Sequence, residues 1–332
     1  MSEFLDAITG GLQAALGYQA IFFILLAIGL NVHFGYTGLL NMGQTAFALL
    51  GAFGIAVSVV RWGLPFWVGI LIGLAASVVL ALLLGIPTLR LRADYLAIVT
   101  IAVAEILRLV FRSVGATAVT GGTRGLSGFN AGFVALAPWA GGRQYDILGT
   151  RWSGAQLWVA LVGWLLVLLM SLLVWALMRS PWGRVVKAIR EDEDAARSLG
   201  KNVFSYKMQA LVLGGVIGSF GGTVYALGLG SVNPDQYQNG NTFLAYTALI
   251  LGGAARIWGP VVGGALLLFL VQFADTALKA LISNGIIPDT LLSQTDVAQL
   301  RFVLIGVGLM ALLVFRPQGI FGDRREVMLD AR

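Results

Sequence analysis

Residues 155–207 read AQLWVALVGWLLVLLMSLLVWALMRSPWGRVVKAIREDEDAARSLGKNVFSYK. From Ala155 to Met178 there is no Asp, Glu, Lys or Arg. A bilayer core takes about 20 helical residues to cross, so an apolar stretch of this length predicts a membrane span. At Arg179 the chemistry changes: both signs of charge crowd the chain as far as Lys207, and another apolar run follows. Span, charged loop, span is the unit of a polytopic helical membrane protein, because a helix satisfies its backbone groups internally where water is absent.

The rest of the chain repeats that unit. Of its 332 residues 58% are hydrophobic and 11% are charged, against roughly 25% charged in a soluble domain. Apolar runs broken by charge, Pro or polar clusters give spans at 18–34, 39–60, 66–87, 95–113, 155–178, 207–230 and 297–315. The stretch 243–272 is too long for one span and is interrupted by Gly252, Gly253 and the run Arg256 to Pro260. Because Gly and Pro break helices, it reads as two short helices with Gly259 and Pro260 at the second start. The expectation is an all-α transmembrane bundle of about nine spans, forming a single domain over 1–332. The N-terminus carries Glu3 and Asp6 where a signal peptide is basic, so the first span is expected to be retained.

Nine crossings put the termini on opposite sides, and cytoplasmic flanks carry the excess of Lys and Arg. With the C-terminus cytoplasmic, fourteen of the 22 basic residues fall inside. That orientation makes 179–207 a cytoplasmic loop and 114–154 an extracytoplasmic one, in a multi-pass protein of the cell membrane. The net charge of +6 sits at span ends, which is a topology signal and not a nucleic-acid patch. Zero Cys and one His exclude thiolate chemistry and leave no metal cluster to propose. The Gly-rich stretch 120–128 reads either as a turn-rich connector or as a segment that bends around a partner.

Enzymatic readings find little support. There is no Ser-His-Asp set and no H-E-x-x-H. No phosphate-binding G-x-x-x-x-G-K-[ST] loop is present, so ATP, if it drives this chain, binds elsewhere. The loop 179–207 offers the place for such a partner. Val185, Val186, Ile189 and Ala196 recur at helical spacing beside Lys187, Arg190 and the acidic run, and Gly200 stops the helix. A short amphipathic helix of mixed charge suits a groove on a soluble protein.

Within that loop Asp194-Ala195-Ala196, three residues and Gly200 resemble the E-A-A-x-x-x-G signature of ABC importer permeases, with Asp in place of Glu. The resemblance implies that Arg190, Glu191, Asp194, Ala195, Ala196 and Gly200 form a coupling helix on an ATPase subunit. Three more segments resemble the LivM-type branched-chain amino-acid permeases: Gly35 to Phe47, Gly252-Gly253 with Trp258 to Gly263, and Phe315 to Gly322. Membership implies a similar second permease chain, two cytoplasmic ATPase subunits holding ATP and Mg, and an extracytoplasmic solute-binding protein. It implies no cofactor or metal in this chain. The family also serves urea, short amides and other amino acids.

Polar residues inside spans are costly and need a reason. Asn31, His33, Asn41, Gln44, Glu105, Arg108 and Gln272 are of this kind. Asn41 and Gln44, at a Gly-punctuated helix start, are candidates for the translocation pathway or for interhelical hydrogen bonds. Glu105 and Arg108, three apart, form either a pathway pair that orients a zwitterion or a structural ion pair. His33 reads as an interfacial residue at a span end. Gly214, Gly218 and Gly222 recur every four residues, which predicts close helix packing within the bundle or at a subunit contact. The rival is a cation-coupled secondary transporter using Glu105, His33 or Asp275.

Overall fold

The computed structural model describes residues 2–89, 93–139, 143–147 and 149–283, together with 303, 306, 307, 310 and 319–322. Most of the expected span 297–315 and residues 315–318 of the segment Phe315 to Gly322 lie outside these residues. Helix α1 (Ser2–Leu16) leads through an extended Gly17 into α2 (Tyr18–Leu30), which winds into a π-turn over Asn31–Tyr36. Then come α3 (Gln44–Val60), α4 (Phe66–Thr88) and α5 (Ala93–Arg112). The next connection holds α6 (Thr117–Thr120), β1 (Leu126–Ser127), α7 (Ala131–Val134) and the hairpin β2 (Gln144–Ile147) and β3 (Thr150–Ser153). After it follow α8 (Gly154–Arg179), α9 (Pro181–Glu191), α10 (Glu193–Ser198) and α11 (Val203–Leu229). Last are β4 (Ser231–Val232), α12 (Gly240–Gly252) and α13 (Gly259–Ser283).

Among the described residues five helices are long and apolar enough to cross a membrane, and α3 is a shorter apolar one. Their burial runs opposite to a soluble protein's. The spans at α4 and α8 have the highest mean hydropathy, 2.7, yet only 39% of each is buried. At α2 and α11 mean hydropathy falls to 1.6 and 1.7 while burial rises to 83% and 72%. Peripheral helices need apolar side chains on the face they show to lipid, whereas central ones can carry polar groups that find partners. Ala20 to Leu30 are all buried, and α2 packs against α8, α11, α12 and α13. The chain is a membrane-embedded helical protein.

Four expectations change. The helix expected from 39 begins at Gln44, because residues 38–43 form an irregular turn. The second of two short helices, α13, has 25 residues. An additional helix, α1, packs along α13, where Gly11 leaves room for the Phe269 ring. The Gly-rich stretch is pinned: Leu126 pairs with Val232 and Ser127 with Ser231, and any side chain at Gly125 would overlap the Val232 carbonyl.

The four-residue stripe on α11 packs inside this chain. Side chains at Gly214 and Gly218 would overlap His33 and Gln44, and one at Gly222 would overlap the Ala48 carbonyl. Small residues let backbones approach this closely, which is how helices associate without a hydrophobic drive between them.

Candidate coupling and pathway site

The charged loop folds as two helices in place of the single one expected. Pro181 occupies the first turn of α9, where its missing N–H costs nothing. The break falls at Asp192, whose backbone is extended and whose carboxylate accepts from Asp194 N and Ala195 N, both at 2.9 Å. That N-cap opens α10. Ile189, Ala196 and Val203 close a small apolar core, with Val185 and Tyr206 against it. Glu191, Asp194 and Ala195 are exposed, as is Gly200, whose φ of +76° ends the unit. Leu199, 80% exposed beside them, had no signal in the helical spacing. Arg197 bonds Glu193 and Asp194 at 2.9 Å each, and Lys207 also pairs with Glu193.

Arg190 does something the sequence did not suggest. Its Nη1 donates to the carbonyl of Gly35 in the π-turn. Two residues from that carbonyl lies a fully buried polar network. His33 Nε2 is 3.1 Å from the Leu211 carbonyl, so this nitrogen must carry the proton. Nδ1 then accepts from the Asn41 amide at 3.1 Å, and His33 is neutral. Asn41 also donates to Gln44 Oε1 at 2.9 Å and accepts from Gly43 N at 2.9 Å. Gln44 Nε2 donates to the Gly214 carbonyl at 2.8 Å. His33, Asn41 and Gln44 are each 0% exposed.

The first turn of α3 is satisfied by neighbouring helices. Met42 N donates to Thr100 Oγ1 of α5, and Thr45 N to Thr242 Oγ1 of α12. Asn239 Nδ2 reaches the Ile101 carbonyl at 3.2 Å. Helix starts leave orphan N–H groups that must find partners when buried. Thr45, Thr100, Asn239 and Thr242 thus frame Asn41 and Gln44; none of these four stood out in sequence, since Thr and Asn are common in spans.

Gly252 and Gly253 end α12, and Gly259 with Pro260 opens α13. Between them Ala255 takes a φ of +59°, a strained value for a residue with a Cβ. Asn31 holds it: its Oδ1 accepts from Ala255 N and its Nδ2 donates to the Arg256 carbonyl, both at 2.8 Å. Ile320 N and Phe321 N bond the carbonyls of Leu251 and Gly252 at 3.0 Å. Segments far apart in sequence, 35–47, 252–263 and 319–322, therefore meet at one end of the bundle beside α9.

At the opposite end of α5, Arg108 bonds Glu105, as spacing predicted, and also Asp235, which spacing could not reveal. Arg112 reaches Asp235 at 3.5 Å. Asp235 lies in the 3-10 turn Pro234–Tyr237, directly after β4. This cluster lies apart from Asn41 and Gln44, so the four expected pathway residues form two groups.

A family described as "Branched-chain amino acid transport system / permease component" matches residues 14–313. The chain belongs to that permease family. It is 30% identical over 307 residues to the high-affinity branched-chain amino acid transport system permease LivM of Escherichia coli K12, covering 90% of this chain and 67% of that one. The probable LivM of Methanocaldococcus jannaschii is 24% identical, with 91% of each chain covered. An autoinducer 2 import system permease, LsrC of Photorhabdus laumondii, is 31% identical over 38% of this chain and 39% of its own. The chain is thus a permease subunit of an ABC-type import system, and the match takes in the charged two-helix loop, the buried network and the helix break together.

Proposed function

We propose that this permease carries a branched-chain or closely related amino acid into the cell, crossing the inner membrane about nine times with its C-terminus cytoplasmic. It pairs with a similar second permease chain. Two ATPase subunits, holding ATP and Mg, dock on the face of α9 and α10 that presents Glu191, Asp194, Ala195 and Gly200. A solute-binding protein delivers the solute from the other side, where 114–154 lies. The observation that supports this reading best is the coupling unit itself: two helices with a core of their own and a polar outer face, ended by an exposed left-handed glycine. A solvated connector would need no such core.

Glu105 and Arg108 then serve a zwitterion at the pathway entrance, and Asn41 with Gln44 serve the switch between inward and outward access. In this state the amides of Asn41 and Gln44 are engaged with protein partners, so a solute reaches them only after helices part. The names of the LivM relatives support the amino-acid substrate. The secondary-transport reading gains nothing from His33, because a second proton would break its bond from Asn41.

Uptake by proteoliposomes containing both permeases and the ATPases, with the binding protein added, tests the proposal. ATP inside should drive accumulation of labelled leucine, isoleucine or valine. Uptake that ignores ATP depletion yet collapses with an uncoupler overturns the ATP-driven reading. Uptake of urea or short amides in preference overturns the substrate.

A further inference from the structure

Arg190 stands among residues that resemblance assigns to the ATPase contact, yet its guanidinium is bonded inward. We propose that Arg190 is a positioning residue, a strut that carries the displacement of α9 through the Gly35 carbonyl to the π-turn and so to the His33–Asn41–Gln44 network. This inference rests on the importer reading above.

The geometry is specific. Gly38 N bonds the Phe34 carbonyl and Leu39 N the His33 carbonyl at 2.8 Å, which closes the turn. The carbonyl of Gly35, in the same turn, accepts from Arg190. The stem of Arg190 lies along the same turn: a methyl group at Gly38, where φ is +74°, would stand 3.4 Å from Arg190 Cγ. Lys187 Nζ, 5.7 Å from the centre of the Tyr36 ring, is a looser second contact from the same helix. Elsewhere α9 rests on the small core around Ile189 and on its neighbours α8, α10 and α11.

What lies beyond Gly35 makes the contact a lever arm. Asn31, within the same π-turn, grips the strained Ala255 and so the junction of α12 with α13. His33 and Asn41 lead to Gln44 at the start of α3 and to the Gly214 carbonyl of α11. One hydrogen bond from the coupling unit therefore reaches a turn linked to α3, to α11 and to the junction of α12 with α13. A π-turn is a common site of functional adjustment because its wider winding frees backbone groups. Coupling between distant sites needs such an element with two arrangements, biased from both ends.

The test uses the complete transporter with Arg190→Met, Arg190→Lys and wild type. Amide hydrogen exchange over 183–198 and over 36–43 is compared without nucleotide and with ATP plus vanadate. In wild type both segments should respond to ATP. In Arg190→Met the response of 183–198 should persist and that of 36–43 should fall about tenfold, while ATP hydrolysis continues and uptake per ATP drops by a similar factor. Lysine, which can still donate one bond to Gly35, should restore part of both. An unchanged ATP response over 36–43 in Arg190→Met overturns the strut. So does a parallel loss of hydrolysis and uptake, which would make Arg190 an ATPase contact. If 183–198 in wild type ignores ATP, the importer reading itself fails, a result separable from failure of the strut.

Discussion

His33, Asn41 and Gln44 are enclosed and uncharged, whereas Arg108, Glu105 and Asp235 keep full charges at a margin where the two carboxylates stay 40% and 38% exposed. The contrast follows from solvent. A neutral amide or imidazole buried without a partner costs a few kcal/mol, and an unpaired charge far more. The enclosed cluster uses neutral groups and saturates them; the open cluster uses ions that pair with one another. The inner network therefore depends on fit, and the outer cluster on charge.

The fit can be broken most severely from α11. Gly214→Leu would drive a side chain into the buried His33 ring and the Gly29 backbone, both hemmed in by packed helices. Overpacking typically costs about 1–3 kcal/mol, and backbone overlap places this case above that range. Thermal unfolding in detergent should show the largest loss of any substitution considered. A stability within error of wild type would mean that α2 and α11 are not in contact.

A smaller effect comes from Asn41→Leu, which keeps the branched shape but removes the amide. His33 Nδ1, Gln44 Oε1 and Gly43 N would each lose a partner. One orphaned buried group costs about 1–3 kcal/mol, and partial rearrangement should hold the total near 3 kcal/mol. Gln44→Leu should cost less, since Asn41 and the Gly214 carbonyl are what it leaves behind. Equal losses from the two would show that Asn41 is not the centre of the network.

How much of this was legible depended on the range of the interaction. Apolar runs located α2, α4, α5, α8 and α11 within a few residues, because a span is a local property. The pair Glu105 and Arg108 was equally local. Helix α1 escaped because Glu3 and Asp6 interrupt its apolar content, and the irregular start at 38–43 was hidden because Leu39 and Leu40 read as span. The bonds Arg190 to Gly35 and Arg108 to Asp235 cross 155 and 127 positions. No spacing rule reaches that far; the only signal was that each polar group needed some partner. Resemblance pointed to the segments 35–47, 252–253 with 258–263, and 315–322 but not to the meeting of their described parts.

The charged cluster should show the weakest dependence on fit. Arg108 is the enclosed member, with 11% of its side chain exposed, and both of its partners are open to screening. Exposed pairs contribute about 0–1 kcal/mol, so a double-mutant cycle between Arg108→Met and Asp235→Asn should give a coupling of about 1 kcal/mol. That coupling should shrink as salt rises, because ions screen charges at an open margin. The stability cost of Asn41→Leu should not, since no charge is involved. If the Arg108–Asp235 coupling instead exceeded the Asn41 effect and ignored salt, the margin would be as closed as the centre. The two clusters would then differ in chemistry alone and not in solvent.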